Sequence, residues 1–96
     1  MDPLKLQVLI NSGMAWKLEG SVGRACMDAI KRGDCMLGET HFFDFYGNRV
    51  PARHEMAEGV FGTREFVVHN NGEEFAAVLD LAPTTADLDI LSAVLL

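Results

Sequence analysis

The sequence predicts a single small α+β domain over residues 1–96: an N-terminal helical region packed on a small antiparallel sheet, the hairpin 64–81, with a short C-terminal helix. Three observations carry this expectation. Apolar residues recur at a helical period through the first third of the chain. An Asn71-Gly72 pair divides two apolar-alternating runs. A leucine-rich segment follows Pro83. An apolar fraction of 49 % argues for a folded core.

The helical region opens on Asp2, a good N-cap, with Pro3 at the first helical position, where its missing N–H costs nothing. Leu6, Ile10, Met14, Leu18, Val22, Ala25 and Ala29 then follow a helical spacing. Gly13, Gly20 and Gly23 interrupt it, so residues 3–32 fit one long helix or two. Breaks are expected near Asn11–Gly13 or Gly20–Ser21, because Asn and Gly end helices and Ser starts them. Lys31 and Arg32 complement the dipole of the last turn, and Gly33 is the natural stop.

Beyond this region, "DCMLG" (34–38) is a short apolar run compatible with a strand. In "HFFDFYGNRVPAR" (41–53), Gly47-Asn48 can make a two-residue turn that sets Tyr46 against Arg49 and Phe45 against Val50. Pro51 has no N–H to donate, so this hairpin is about two pairs deep or its turn is wider. Alternation sends Phe43 and Phe45 to the core. It leaves Phe42, Asp44 and Tyr46 on the other face, where Arg49 and Arg53 can stack on the rings. "EMAEGVFGT" (55–63) reads as an irregular connection.

In "REFVVHNNGEEFAAVLDL" (64–81), Asn71-Gly72 is a preferred pair for a two-residue hairpin turn. That register sets Val68 opposite Phe75, Phe66 opposite Ala77, and His69 opposite Glu74 on the outer face. After Pro83, Thr84 and Asp87 resemble a capping box. Leu88, Leu91 and Leu95 share one helical face, suited to docking on the sheet or to a homodimer or partner interface.

Charge bounds the partner. The net charge is −6, and residues 65–96 hold six acids with no Lys or Arg. Such a face repels phosphate backbones, so direct nucleic-acid binding is not expected. It suits a basic protein surface, with Glu73, Glu74 and Asp80 as contacts, or simply keeps the chain in solution. Tyr, Phe and Arg are common interface anchors, which makes Phe42, Tyr46, Arg49 and Arg53 the other candidate partner-binding residues. No apolar run approaches a membrane span, and "MDPLKLQVLI" lacks the basic start of an export signal. The expected location is therefore a cytoplasm.

Catalytic and metal signatures are not expected to emerge. His41, His54, His69, Cys26 and Cys35 match no metal-ligand spacing, so no metal or cofactor is expected. Cys26 lies among apolar neighbours and Cys35 follows Asp34, settings that disfavour a thiolate. Neither a phosphate-binding loop nor a nucleophile elbow occurs. The chain reads as a non-enzyme.

"MAWKLEGSVGRACMDAIKRGDCMLG" (14–38) with "DFYGNRVPAR" (44–53) resembles a set of small, uncharacterised proteins encoded in tailed-bacteriophage and prophage genomes. The likeness covers roughly the first two thirds of the chain and carries no assigned chemistry. It implies a bacterial host cytoplasm and a protein that binds and inhibits or redirects a host protein, an anti-CRISPR-like inhibitor of a defence system being the sharpest form. A virion or assembly component acting through self-association is the alternative.

Overall fold

The computed structural model describes residues 2–18 and 20–83. The expected C-terminal helix, with Leu88, Leu91 and Leu95, lies outside them. The chain is α+β, with helices preceding and following a small antiparallel hairpin. Among the described residues, no helix is long and apolar enough to cross a membrane.

The N-terminal region forms three helices: α1 (Pro3–Ser12), α2 (Met14–Lys17) and α3 (Ser21–Arg32). The sequence fits one helix or two, with a break at one of two places; the chain breaks at both, which gives three. The Asp2 side chain caps α1 by accepting from the Leu4 N–H at 3.0 Å. Gly13 ends α1 at φ 82°, a conformation that strains any residue with a Cβ. A Cβ there would also enter the ring of Phe42, which lies against this bend. Gly33 stops α3 in the left-handed conformation and donates to the carbonyls of its last turn.

Residues 35–38 are buried but belong to no helix or strand. Their backbone groups find partners elsewhere. The Gln7 side chain, fully buried on α1, grips Met36 at both ends: Oε1 accepts from the Met36 N–H and Nε2 donates to the Met36 carbonyl, each at 2.9 Å. The second Nε2 hydrogen goes to Asn11 Oδ1 at 2.9 Å. Asn11 Nδ2 in turn reaches the Ala82 and Pro83 carbonyls at 3.4 and 3.2 Å. The Leu37 N–H donates to the Gly62 carbonyl, and Arg53 donates to the carbonyls of Leu37 (through Nε) and Gly38 (through its N–H).

The hairpin comprises β1 (Phe42–Phe43) and β2 (Arg49–Val50), paired Phe42 to Val50 and Phe43 to Arg49. It is two pairs deep and its turn is wider than two residues, so Pro51 does not face Asp44 as a Gly47-Asn48 turn would require. Asp44 donates its N–H to the Asn48 carbonyl at 2.8 Å, and Gly47 donates to the Asp44 carbonyl at 3.0 Å. Gly47 sits at φ 83°, as in three-residue hairpin loops closed by a left-handed residue. This shifts the register expected from a Gly47-Asn48 turn and reverses the aromatic assignment. Phe42 shares the inner face with Val50, whereas Phe43 is 57 % and Phe45 56 % exposed.

A single 3₁₀ turn (Arg53–Glu55) follows, and then the largest departure from expectation. Residues 64–81 do not form a hairpin. They fold as α4 (Arg64–Asn71) and α5 (Glu73–Leu79), hinged at Gly72. Thr63 caps α4, its Oγ1 accepting from the Phe66 N–H at 3.2 Å. Glu73 and Glu74 occupy the first turn of α5, where the dipole favours acids, and "EEFAAVL" is rich in good helix formers. Phe75, Ala76 and Leu79 meet the core at helical spacing. Asn71-Gly72 thus ends one helix and starts another. Asn71 Nδ2 donates to the Gly33 carbonyl at 2.8 Å, fixing α4 to the end of α3.

Two apolar clusters result. The larger gathers Leu6, Leu9, Ile10, Trp16, Cys26, Ile30, Leu37 and Val50. The smaller joins Met36 to Val67, Ala76 and Leu79. Met36 therefore presents its backbone to α1 and its side chain to the α4–α5 pair.

Gln7→Leu, which keeps the volume and removes the amide, leaves the Met36 N–H and carbonyl unpaired in the core. The expected loss is about 3 kcal/mol in urea unfolding. An exposed control on the same helix, Lys5→Gln, should stay within about 0.5 kcal/mol of wild type.

Candidate functional site

Three exposed large apolar residues lie together on the 43–46 turn, while Leu18, Val60, Phe61, Val78 and Leu81 are exposed elsewhere. Phe43, Phe45 and Tyr46 are consecutive along it save for Asp44, and Tyr46 is 73 % exposed. Their order is local. Asp44 Oδ1 accepts from the Tyr46 and Asn48 N–H groups at 2.9 and 2.8 Å, and Oδ2 accepts from Asn48 Nδ2 at 3.4 Å. The carboxylate is thereby turned into its own loop. Phe45 and Tyr46 meet edge to face at 5.2 Å, and His41 meets Phe43 in the same manner at 5.9 Å.

Behind this lip runs a groove of about 270 Å³. Trp16 and Leu18 of α2 and its exit, Met27 of α3, and Phe45, Tyr46 and Val50 of the hairpin form its apolar walls. Gly20, Gly23 and Arg24 also line it, and the missing side chain of Gly23 lets α3 approach the Ala15 carbonyl. An exposed aromatic edge beside a preformed apolar groove is the arrangement that grips a protein side chain.

The sequence-predicted contacts divide differently. Tyr46 is in the lip. Phe42 is half-buried and packs on the core beside Gly13 and Gly38. Arg49 and Arg53 do not stack on the rings. Arg49 Nη2 pairs with Glu55 Oε1 at 2.6 Å, and Arg53 is half-buried with Nε on the Leu37 carbonyl at 2.8 Å. The Arg49 pair draws the hairpin to the 3₁₀ turn, and Arg53 ties that turn to the 37–38 segment.

The acidic set is divided too. Arg64 binds Glu73 through Nη2 to Oε1 at 2.7 Å and Asp80 through Nη2 to Oδ2 at 2.8 Å, tying the start of α4 to both ends of α5. The Arg64 hydrogen bond holds the Glu73 carboxyl below its usual range. Glu74 and His69 are exposed on separate helices, so the expected cross-strand pair does not exist. Of the predicted acidic contacts, only Glu74 is outside the Arg64 clamp.

Both cysteines are buried and free. Burial pushes the Cys26 thiol up to about 11. Cys35 is pushed up to about 12, by burial first and then by nearby Cys26 and Asp34. Neither offers a thiolate near neutrality. Among the described residues, His, Cys, Asp and Glu side chains form no group of three or more that could hold a metal ion.

Trp16, Leu18, Arg24, Met27, Phe43 and Phe45 were not among the sequence-predicted contacts. Trp16 and Met27 lie in helical segments, and only the packing of α2 and α3 against the hairpin brings them to one groove. Comparison with protein-family models, curated proteins and solved structures finds no match.

Glu55 gives this region a pH dependence. Its carboxylate accepts from the Ala52 N–H at 2.7 Å and from Arg49, and these bonds hold its pKa below the ordinary 4.5. A depressed carboxyl stabilises the fold above its unfolded pKa, and that stabilisation disappears as pH falls through the folded pKa. Wild type should therefore melt above Glu55→Gln at pH 7, with the gap closing between roughly pH 5 and pH 3 in thermal melts.

Proposed function

We propose that the chain is a non-enzymatic protein-binding module that grips its partner with the aromatic lip Phe43, Phe45 and Tyr46 and the groove behind it. The observation that carries this reading is the exposure of three aromatic side chains on a turn whose backbone is fixed by Asp44. Such a lip loses little conformational freedom on binding, and aromatic anchors dominate interface energetics.

The likeness of residues 14–38 and 44–53 to small phage-encoded proteins makes a bacterial host protein the proposed partner, in the host cytoplasm. Inhibition or redirection of that protein, as by an anti-CRISPR inhibitor, is the proposed outcome. A basic surface on the partner agrees with the net charge of −6. With Glu73 and Asp80 committed to Arg64, that charge acts as long-range attraction that raises the encounter rate, while the lip supplies the anchor. Charge reversal at Glu73 or Asp80 would set a lysine against Arg64 and disturb the α4–α5 pair. Glu65 and Glu74, both exposed, are the cleaner positions to reverse.

The test is affinity capture from bacterial lysate with wild type and with Phe45→Ser/Tyr46→Ser. The expected result is a host protein enriched by wild type and lost with the double variant, whose melting temperature stays near that of wild type. Retention of the same protein by the double variant would contradict the reading. Glu65→Lys/Glu74→Lys should slow association in a salt-dependent manner, with dissociation little changed.

A further inference from the structure

Resting on that reading, the groove itself constrains the partner's chemistry. Its walls are apolar, and its volume of about 270 Å³ suits one or two aliphatic side chains. Its charged lining consists of Arg24 and Asp44. These are not equivalent. Both Asp44 oxygens accept hydrogen bonds from Tyr46 and Asn48 of its own loop, so little of that carboxylate is left to recognise a ligand. Arg24 is exposed, and among the described residues no side chain bonds or pairs with its guanidinium. Lys17, at the end of α2, adds a second exposed cation beside Leu18.

The other arginines near cavities are spent within the fold. Arg53 and Arg64 line a second cavity of similar size, but Arg53 serves the Leu37 carbonyl and Arg64 is clamped by Glu73 and Asp80. The groove behind the lip is therefore where an apolar slot and a cation open to a ligand coincide.

We infer that the groove takes a short segment of the partner protein that inserts one or two aliphatic side chains and sets an adjacent carboxylate on Arg24. The aliphatic groups fill the space between Trp16, Met27 and Phe45, and Tyr46 closes over them. The carboxylate receives the guanidinium in the two-point manner that arginine favours. This local preference for acid is compatible with a partner that is basic elsewhere, because the acidic α4–α5 helices and the groove are separate surfaces.

The experiment uses the full chain and two synthetic peptides with the same leucines, one flanked by glutamates and the other by lysines. Trp16 is the chain's single tryptophan and lines the groove, so its emission reports occupancy. Amide shifts at Gly20, Gly23 and Tyr46 locate the binding. The glutamate peptide should bind saturably and about tenfold or more tighter than the lysine peptide. Arg24→Met should remove that preference, and Arg24→Glu should reverse it.

Equal binding of the two peptides, an unchanged preference in Arg24→Glu, or shifts away from the groove would overturn the inference. So would absence of binding by either peptide; loss of host-protein capture by Phe45→Ser/Tyr46→Ser would then still uphold the protein-binding reading. Peptide binding seen only in Leu88→Ser/Leu91→Ser/Leu95→Ser would give the groove to the chain's own C-terminal segment. A concentration-dependent Trp16 shift without peptide would give it to a second copy. Either result rejects the partner segment.

Discussion

The fold depends on one buried side-chain amide. Gln7 meets the Met36 backbone as a neighbouring strand would, accepting from its N–H and donating to its carbonyl. Residues 35–37 are buried, and they have no strand beside them to satisfy their backbone groups. A buried, unpaired backbone group costs roughly 1–3 kcal/mol, so Met36 is tenable in the core because α1 supplies a substitute. The same amide spends its remaining hydrogen on Asn11, and Asn11 holds the chain where it leaves α5 at Ala82 and Pro83. One polar relay therefore joins the start, the middle and the end of the described chain.

The proposed binding surface hangs on the same segment. Arg53 donates to the Leu37 and Gly38 carbonyls, and Leu37 donates to Gly62. These bonds seat the chain on either side of the 3₁₀ turn, and the Arg49–Glu55 pair then fixes the hairpin to that turn. Phe42 and Val50 point inward onto the larger cluster, which forces Phe43 outward on the opposite face of so short a strand. The exposure of the lip is a consequence of register, and the register follows from the Asp44 loop. Rigid placement of three aromatics near a groove is what the proposed gripping surface rests on.

Much of the N-terminal half is legible from sequence because its signals are local. Asp2-Pro3, the Gly13 and Gly20 breaks, and the Lys31-Arg32-Gly33 ending each act within one helical turn. The 64–81 segment misleads because its apolar positions satisfy both periods. Val68, Phe75 and Leu79 fall on one face of the expected hairpin, yet Phe75, Ala76 and Leu79 also fall on one face of a helix. The Thr63 cap, the acids at 73–74 and the smaller cluster around Met36 decide for helices. Gln7 reads as an ordinary polar helix residue, since nothing local distinguishes a solvated glutamine from one facing an unpaired backbone. Arg49 and Arg53 read as ligand-binding groups for the same reason: their partners, Glu55 and the Leu37 carbonyl, depend on how the chain turns between them. The acidic excess after residue 64 is present as counted, but Arg64, at the boundary of the count, absorbs two of its members.

The claim that a side-chain amide stands in for a strand is open to direct measurement by native-state hydrogen exchange at the Met36 amide. Met36 lies outside every helix and strand, where backbone amides ordinarily exchange through local opening. With its N–H held by Gln7 in the core, it should exchange only by global unfolding, with a protection free energy equal to that of the most protected α1 amides. In Gln7→Leu that protection should fall below what remains in α1. Fast exchange of Met36 in the wild-type chain, or protection unchanged by the loss of Gln7, would contradict the account.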